Sequence, residues 1–128
     1  MPTARAEEEH AQLFITTNVQ KGNGSVYLTI YKNERGFPEN PQAAVKALKL
    51  PVQNGVAQTT VQLPKGTYAI SAFYDADANG ALTKNIFGAP AEPYGFSNKA
   101  RSRFRAPYFS EAAFTITGPQ KTVFLELK

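Results

Sequence analysis

The stretch Ser25-Val26-Tyr27-Leu28-Thr29-Ile30-Tyr31-Lys32 alternates strictly, with Val26, Leu28 and Ile30 on one side and Tyr27, Thr29 and Tyr31 on the other. A period of two sends successive side chains to opposite faces of a strand, so this segment predicts a sheet with one aliphatic face turned to a core. Upstream, Gln12 to Val19 (QLFITTNV) is rich in β-branched and aromatic residues, and Lys21-Gly22-Asn23-Gly24 supplies a turn, which together predict a hairpin. Downstream, residues 33–42 (NERGFPENPQ) hold Gly36, Pro38 and Pro41 and read as a loop. Ala43 to Leu50 fits both strand alternation and two helical turns, and strand is preferred because its neighbours are strands. Val56 to Leu63 follows the turn signal Gln53-Asn54-Gly55, and Thr67 to Tyr74 follows Pro64-Lys65-Gly66. Ala112 to Thr117 and Thr122 to Leu127 predict a last hairpin across Gly118-Pro119. About seven short strands with turns between them predict an all-β fold, an antiparallel β-sandwich of immunoglobulin-like or prealbumin-like type.

The chain has 128 residues, 42% hydrophobic and 19% charged, which suits one packed domain over residues 11–128 behind a flexible tail at 1–10. No Cys is present, which excludes a disulfide framework, a thiol nucleophile and Cys-ligated zinc. No apolar run is long enough for a transmembrane helix. Ala4-Arg5-Ala6 has the small-x-small form of a signal-peptidase site, although no apolar segment precedes it. The expectation is a secreted or periplasmic protein whose leader has been removed. Basic residues exceed acidic ones by 14 to 10, with eight basic and five acidic in residues 65–128. This excess suits anionic partners but falls short of the concentrated positive charge of a nucleic-acid binder, so nucleic acid is disfavoured.

Residues 75–111 form a long connection that holds Phe87, Tyr94, Phe96, Phe104, Tyr108 and Phe109. So much aromatic area predicts packing on the sandwich, with Phe96, Phe109 and the nearby Phe114 buried. The connection is also the candidate interaction surface, because long ordered loops commonly carry function.

The run from Tyr74 to Asn98, YDADANGALTKNIFGAPAEPYGFSN, resembles the signature HDxNxNGxLDxNxFGxPxEGYGFSN of a bacterial family known as domain of unknown function 2141. Pro107, Phe109 and Ala112-Ala113-Phe114 resemble further elements of that family. The resemblance implies export and an all-β fold, and no activity. The chain departs from the pattern at Tyr74, Thr83 and Pro93, where the signature has His, Asp and Gly. Leu63-Pro64-Lys65-Gly66-Thr67-Tyr68 resembles the LPxGxY corner of prealbumin-like and collagen-adhesin-type sandwiches.

Catalytic signals are poor: the sole His is His10, and no Ser stands in a GxSxG elbow. The expectation is therefore a non-catalytic binding or structural module of the bacterial cell envelope. The alternative is a hydrolase of envelope polymers acting through Asp75, Asp77 or Glu92. Lys99, Arg101, Arg103 and Arg105 recur at every second residue and would form a basic stripe if extended. With Tyr94 and Phe96, that stripe is the candidate ligand site for an anionic polysaccharide or an envelope protein. No cofactor is required, but calcium is a candidate. Asp75, Asp77 and Asn79 stand at positions one, three and five of an EF-hand-like run, Ala81 at seven offers its carbonyl, and Thr83 stands at nine. Ile86 occupies the position of the closing Glu, so Glu92 would have to fold back. The competing reading has the Asx side chains bonding their own backbone.

Overall fold

The computed structural model describes residues 10–19, 24–75, 93–101 and 106–128. Among the described residues the strands are β1 (His10–Val19), β2 (Ser25–Tyr31), β3 (Lys46–Pro51), β4 (Val56–Pro64), β5 (Gly66–Asp75), β6 (Tyr94–Phe96), β7 (Phe114–Ile116) and β8 (Gln120–Leu127), joined by a short α-helix, α1 (Phe109–Ala112). Alternation decides which side of each is buried. Val26, Leu28 and Ile30 of β2 point inward as expected, beside Ile70 of the neighbouring β5 and in one core with Leu13 and Ile15 of β1 and Leu125 and Leu127 of β8. Fully burying an aliphatic side chain of this size contributes about 1.5–3 kcal/mol, so this layer is the main source of stability. Thr17 also points inward, and its hydroxyl donates to the Ala57 carbonyl at 3.0 Å.

Two sheets enclose this core. One has three strands in the order β4-β1-β8, and the other has five, with β3-β2-β5-β6 in a row and β7 paired with the start of β5. The fold is an all-β sandwich. Strand pairing departs from expectation in three places. First, β1 and β2 do not form a hairpin, since β1 lies between β4 and β8 while β2 lies between β3 and β5. Second, β7 and β8 do not pair, because β7 joins β5 and β8 joins β1. Third, β8 runs parallel to β1, so the sandwich is not purely antiparallel. In each case the turn signal marks a reversal of the chain without naming the sheet that the next strand enters. The segment at 43–50 is strand only from Lys46, since Pro41–Ala43 forms a 3-10 turn capped by the Asn40 side chain. β6, which the sequence did not announce, brings the strands among the described residues to eight.

Two turns hold the sheets together. Asn54 and Gly55 both have positive φ, 55° and 78°, in a two-residue turn whose Gln53 and Val56 exchange both backbone hydrogen bonds. The Gly55 carbonyl accepts from Val19 N at 2.7 Å, and a Cβ at this glycine would meet the Val19 carbonyl at 2.7 Å. At Pro64-Lys65-Gly66 the chain passes from the smaller sheet to the larger. The Tyr68 hydroxyl donates to the Pro64 carbonyl at 2.7 Å across this corner, the bond of a tyrosine corner.

Burial pushes the Tyr68 phenol pKa up from the ordinary value of 10.0. The folded state favours the neutral phenol, so its stabilisation is complete below pH 10 and is lost as pH rises through the higher folded value. Tyr68→Phe should cost about 1 kcal/mol in urea unfolding near neutrality, the usual worth of such a hydrogen bond. The gap between variant and parent should then narrow above pH 10; a gap that stays constant would show that this phenol does not hold the corner.

Candidate functional site

β5 shares one edge with two short strands. β6 pairs with Ser71, Ala72 and Phe73, and β7 pairs with Gly66, Thr67 and Tyr68, leaving Ala69 and Ile70 between them. Ser97, fully buried, fills the gap with its side chain: Oγ accepts from Ile70 N at 2.8 Å and donates to the Ala112 carbonyl at 2.6 Å. Asn98 follows in the left-handed region at φ 60°, and its amide donates to the Glu111 carbonyl at 3.2 Å. Gly95 lets β8 approach, because a Cβ there would stand 2.5 Å from the Glu126 carbonyl. The Tyr94-Gly95-Phe96-Ser97-Asn98 end of the signature is thus a device for joining chain segments.

This device settles much of the candidate basic and aromatic site. Phe96 is buried against Ala69 and Ala112 on the outer face of the larger sheet, where Phe37, Phe109 and Tyr94 pack against it. Phe96 is therefore a core residue, and Phe109 and Phe114 are only partly buried. Lys99 is exposed at φ 55°, closing a 3-10 turn, so it does not share one extended register with Arg101. The Arg101 guanidinium lies 4.0 Å over the Tyr94 ring and donates to the Tyr94 carbonyl at 3.0 Å and to the Lys128 main-chain oxygen. Tyr94 and Lys128 also exchange backbone hydrogen bonds, so Arg101 clamps the seam between β6 and the end of β8. Arg103, Phe104 and Arg105 lie outside the described residues, as do Phe87 and Ala4-Arg5-Ala6.

The calcium and hydrolase candidates share Asp75, which ends β5 opposite Ser25 and is 1% exposed. Asp77, Asn79, Ala81, Thr83 and Glu92 lie outside the described residues. No cluster of three His, Cys, Asp or Glu that could hold a metal occurs among the described residues. His10 stands within β1, exposed and opposite Pro64.

Sequence reading passed over the outer face of the three-stranded sheet. In register, its rows read Gln62–Gln12–Gln120, Thr60–Phe14–Thr122, Gln58–Thr16–Phe124 and Val56–Asn18–Glu126. Glu126 is the only charged side chain in these rows, at the end of the strip. Phe124 is 63% exposed, and Phe14 is half-buried one row away on the neighbouring strand. An open depression of about 340 Å³ lies between β1 and β4 over Phe14, Thr16, Gln58 and Thr60. The signal was present in the even-numbered positions of β1, β4 and β8, which alternate against the buried odd ones. The outer face of the larger sheet differs: Tyr27 and Phe73 stack at 5.3 Å with the Lys49 ammonium 5.7 Å from the Tyr27 ring, and both rings are half-buried.

Ser97→Ala removes one partner from both the Ile70 amide and the Ala112 carbonyl in a site without exposure. The expected loss is about 1–3 kcal/mol in urea unfolding, the range for buried polar groups left unsatisfied. A loss below roughly 0.5 kcal/mol would show that neither group depends on this hydroxyl.

No curated protein and no solved structure matches the chain. Residues 16–123, most of the sequence, match the model of a family described as uncharacterized proteins conserved in bacteria, DUF2141, and the chain belongs to that family.

Proposed function

We propose that this protein is a non-catalytic binding module of the bacterial cell envelope, exported after removal of a leader, and that its binding surface is the outer face of the β4-β1-β8 sheet. The observation that carries this reading is the composition of that face: amides and hydroxyls surround two phenylalanines, and charge stands only at its end, where Glu126 pairs with Lys128 at 4.0 Å. Phe124 contributes little to the core at 63% exposure, yet it offers a ring to a partner. The described part of the 75–111 connection supports the module in a different way. Ser97, Asn98 and Arg101 spend their polar groups on the protein's own backbone.

Co-sedimentation with an insoluble bacterial envelope fraction tests the reading. The parent protein should pellet with the fraction, and Phe124→Ala should stay in the supernatant while its thermal melt remains unchanged. Equal pelleting of the two proteins would move the binding surface elsewhere, and failure of the parent to pellet would remove the envelope from the reading.

A further inference from the structure

We infer that the ligand of this face is an uncharged polysaccharide chain. The inference rests on the reading that the β4-β1-β8 face binds, and adds the chemistry of what it binds. In a chain with 14 basic and 10 acidic residues, a charge-poor strip crossing three strands selects against charged ligands. A carboxylate or sulfate laid on the middle rows would meet no cation, since the charges stand at one end, where the Lys128 ammonium lies 4.0 Å from the Glu126 carboxylate. Bringing an ion onto such a surface costs desolvation without a compensating pair, whereas a hydroxyl loses little.

The groups present match the groups of a sugar. Gln58 and Gln12 each carry a carbonyl acceptor and an amide with two donors, and Thr16 and Thr60 each carry a hydroxyl that does both. Neighbouring sugar hydroxyls also donate and accept, so each can exchange hydrogen bonds with a pair of these side chains. The pyranose ring presents a patch of C–H groups on its face, which an aromatic ring covers. Phe14 and Phe124 lie on adjacent strands and two residues apart along them, about 8 Å between Cα atoms from strand spacing and rise. Both rings therefore lie within reach of one short oligosaccharide.

The shape favours a polymer over a small molecule. A pocket for a small ligand buries most of its surface, while the 340 Å³ depression here, over Phe14, Thr16, Gln58 and Thr60, is half open to solvent. The β-branched Thr side chains lose little rotamer freedom when they bind. With few groups and no charge, the affinity should be weak, on the order of 0.1–1 mM per site.

Affinity electrophoresis in native gels containing hydroxyethylcellulose, galactomannan or dextran tests the inference, with dextran sulfate and polygalacturonate as anionic probes. At least one neutral polymer should retard the protein, and 0.5 M salt should leave its retention unchanged in a matched column assay, as expected where no ion pair is made. Phe124→Ala and Thr16→Lys should each weaken that retention about tenfold or more without lowering the melting midpoint. Retardation by the anionic polymers alone, abolished by Phe124→Ala, would keep the surface and overturn the uncharged class. Retardation by any polymer that survives both substitutions would overturn the surface itself. No retardation by any probe, or a concentration-dependent dimer that Phe124→Ala dissociates in sedimentation, would overturn the inference, the latter by making the face a contact between two copies of this chain.

Discussion

The outer layer of the larger sheet is held in place by one buried hydroxyl. Between the end of β7 pairing at Tyr68 and the start of β6 pairing at Ser71, β5 would leave the Ile70 amide without a partner on that edge. No strand can serve it, because two different segments meet there. A backbone group left dry and unpaired costs as much as a lost hydrogen bond, and Ser97 Oγ removes that cost by accepting the amide proton. The same oxygen donates to the Ala112 carbonyl, which fixes the end of α1 to the sheet. Phe96 and Phe109, on either side of this anchor, then meet Phe37, which packs edge-on to Tyr31 at 5.3 Å. Burial raises the Tyr31 phenol pKa, and the Glu39 carboxylate adds to the shift while the nearby Thr29 hydroxyl opposes it. The buried Tyr31 oxygen makes no hydrogen bond of good geometry, and the Thr29 hydroxyl donates to the Ser71 carbonyl at 3.3 Å.

That anchoring makes the two sheets unequal. The larger carries a second small core on its outside, whereas the outward side chains of the smaller sheet are exposed or half-buried. The smaller sheet is nevertheless tied on both flanks. On one, Val19 N bonds the Gly55 carbonyl inside the tight Asn54-Gly55 turn; on the other, Lys128 exchanges bonds with Tyr94 under the Arg101 guanidinium. These bonds fix the backbone of the strands that carry the strip.

What the sequence showed follows from the range of the forces involved. The alternation of Ser25 to Tyr31 and the Asn54-Gly55 turn are set by contacts within a few residues, and both were legible. Sheet membership was not, because β1 has a half-buried alternating pattern that suits either sheet equally well. Its parallel pairing with β8 joins residues more than a hundred positions apart. β6 is three residues long and too short to show a period. Ser97 was invisible for another reason: one serine in a loop carries no mark of burial, and its role depends on where β5 lacks a partner. The regular spacing of Lys99 to Arg105 suggested a stripe, but alternation aligns side chains only where the backbone is extended, and Lys99 at φ 55° is not. The uncharged face was written in Gln12 to Asn18, Val56 to Gln62 and Gln120 to Glu126. It became visible only once three distant segments stood in register.

Strand propensity explains part of that face and leaves the remainder to function. Threonine suits a pleated, half-exposed surface, which accounts for Thr16, Thr60 and Thr122 without any ligand. Phenylalanine suits a strand as well, so Phe124 at 63% exposure stands out by its contact area rather than by its propensity. Propensity does not account for the missing lysines, since exposed sheets commonly use charge to discourage association with other sheets. Most described cations stand elsewhere, Lys46 and Lys49 on β3, Lys65 at the corner, Lys99 and Arg101 beside β6, while Lys121 of β8 falls on the odd, inward register and Lys128 pairs with Glu126 at the end of the sheet. The composition of three separate strands thus meets on one surface, and the proposed uncharged partner would take hydrogen bonds along the strip and lay an apolar patch on Phe124.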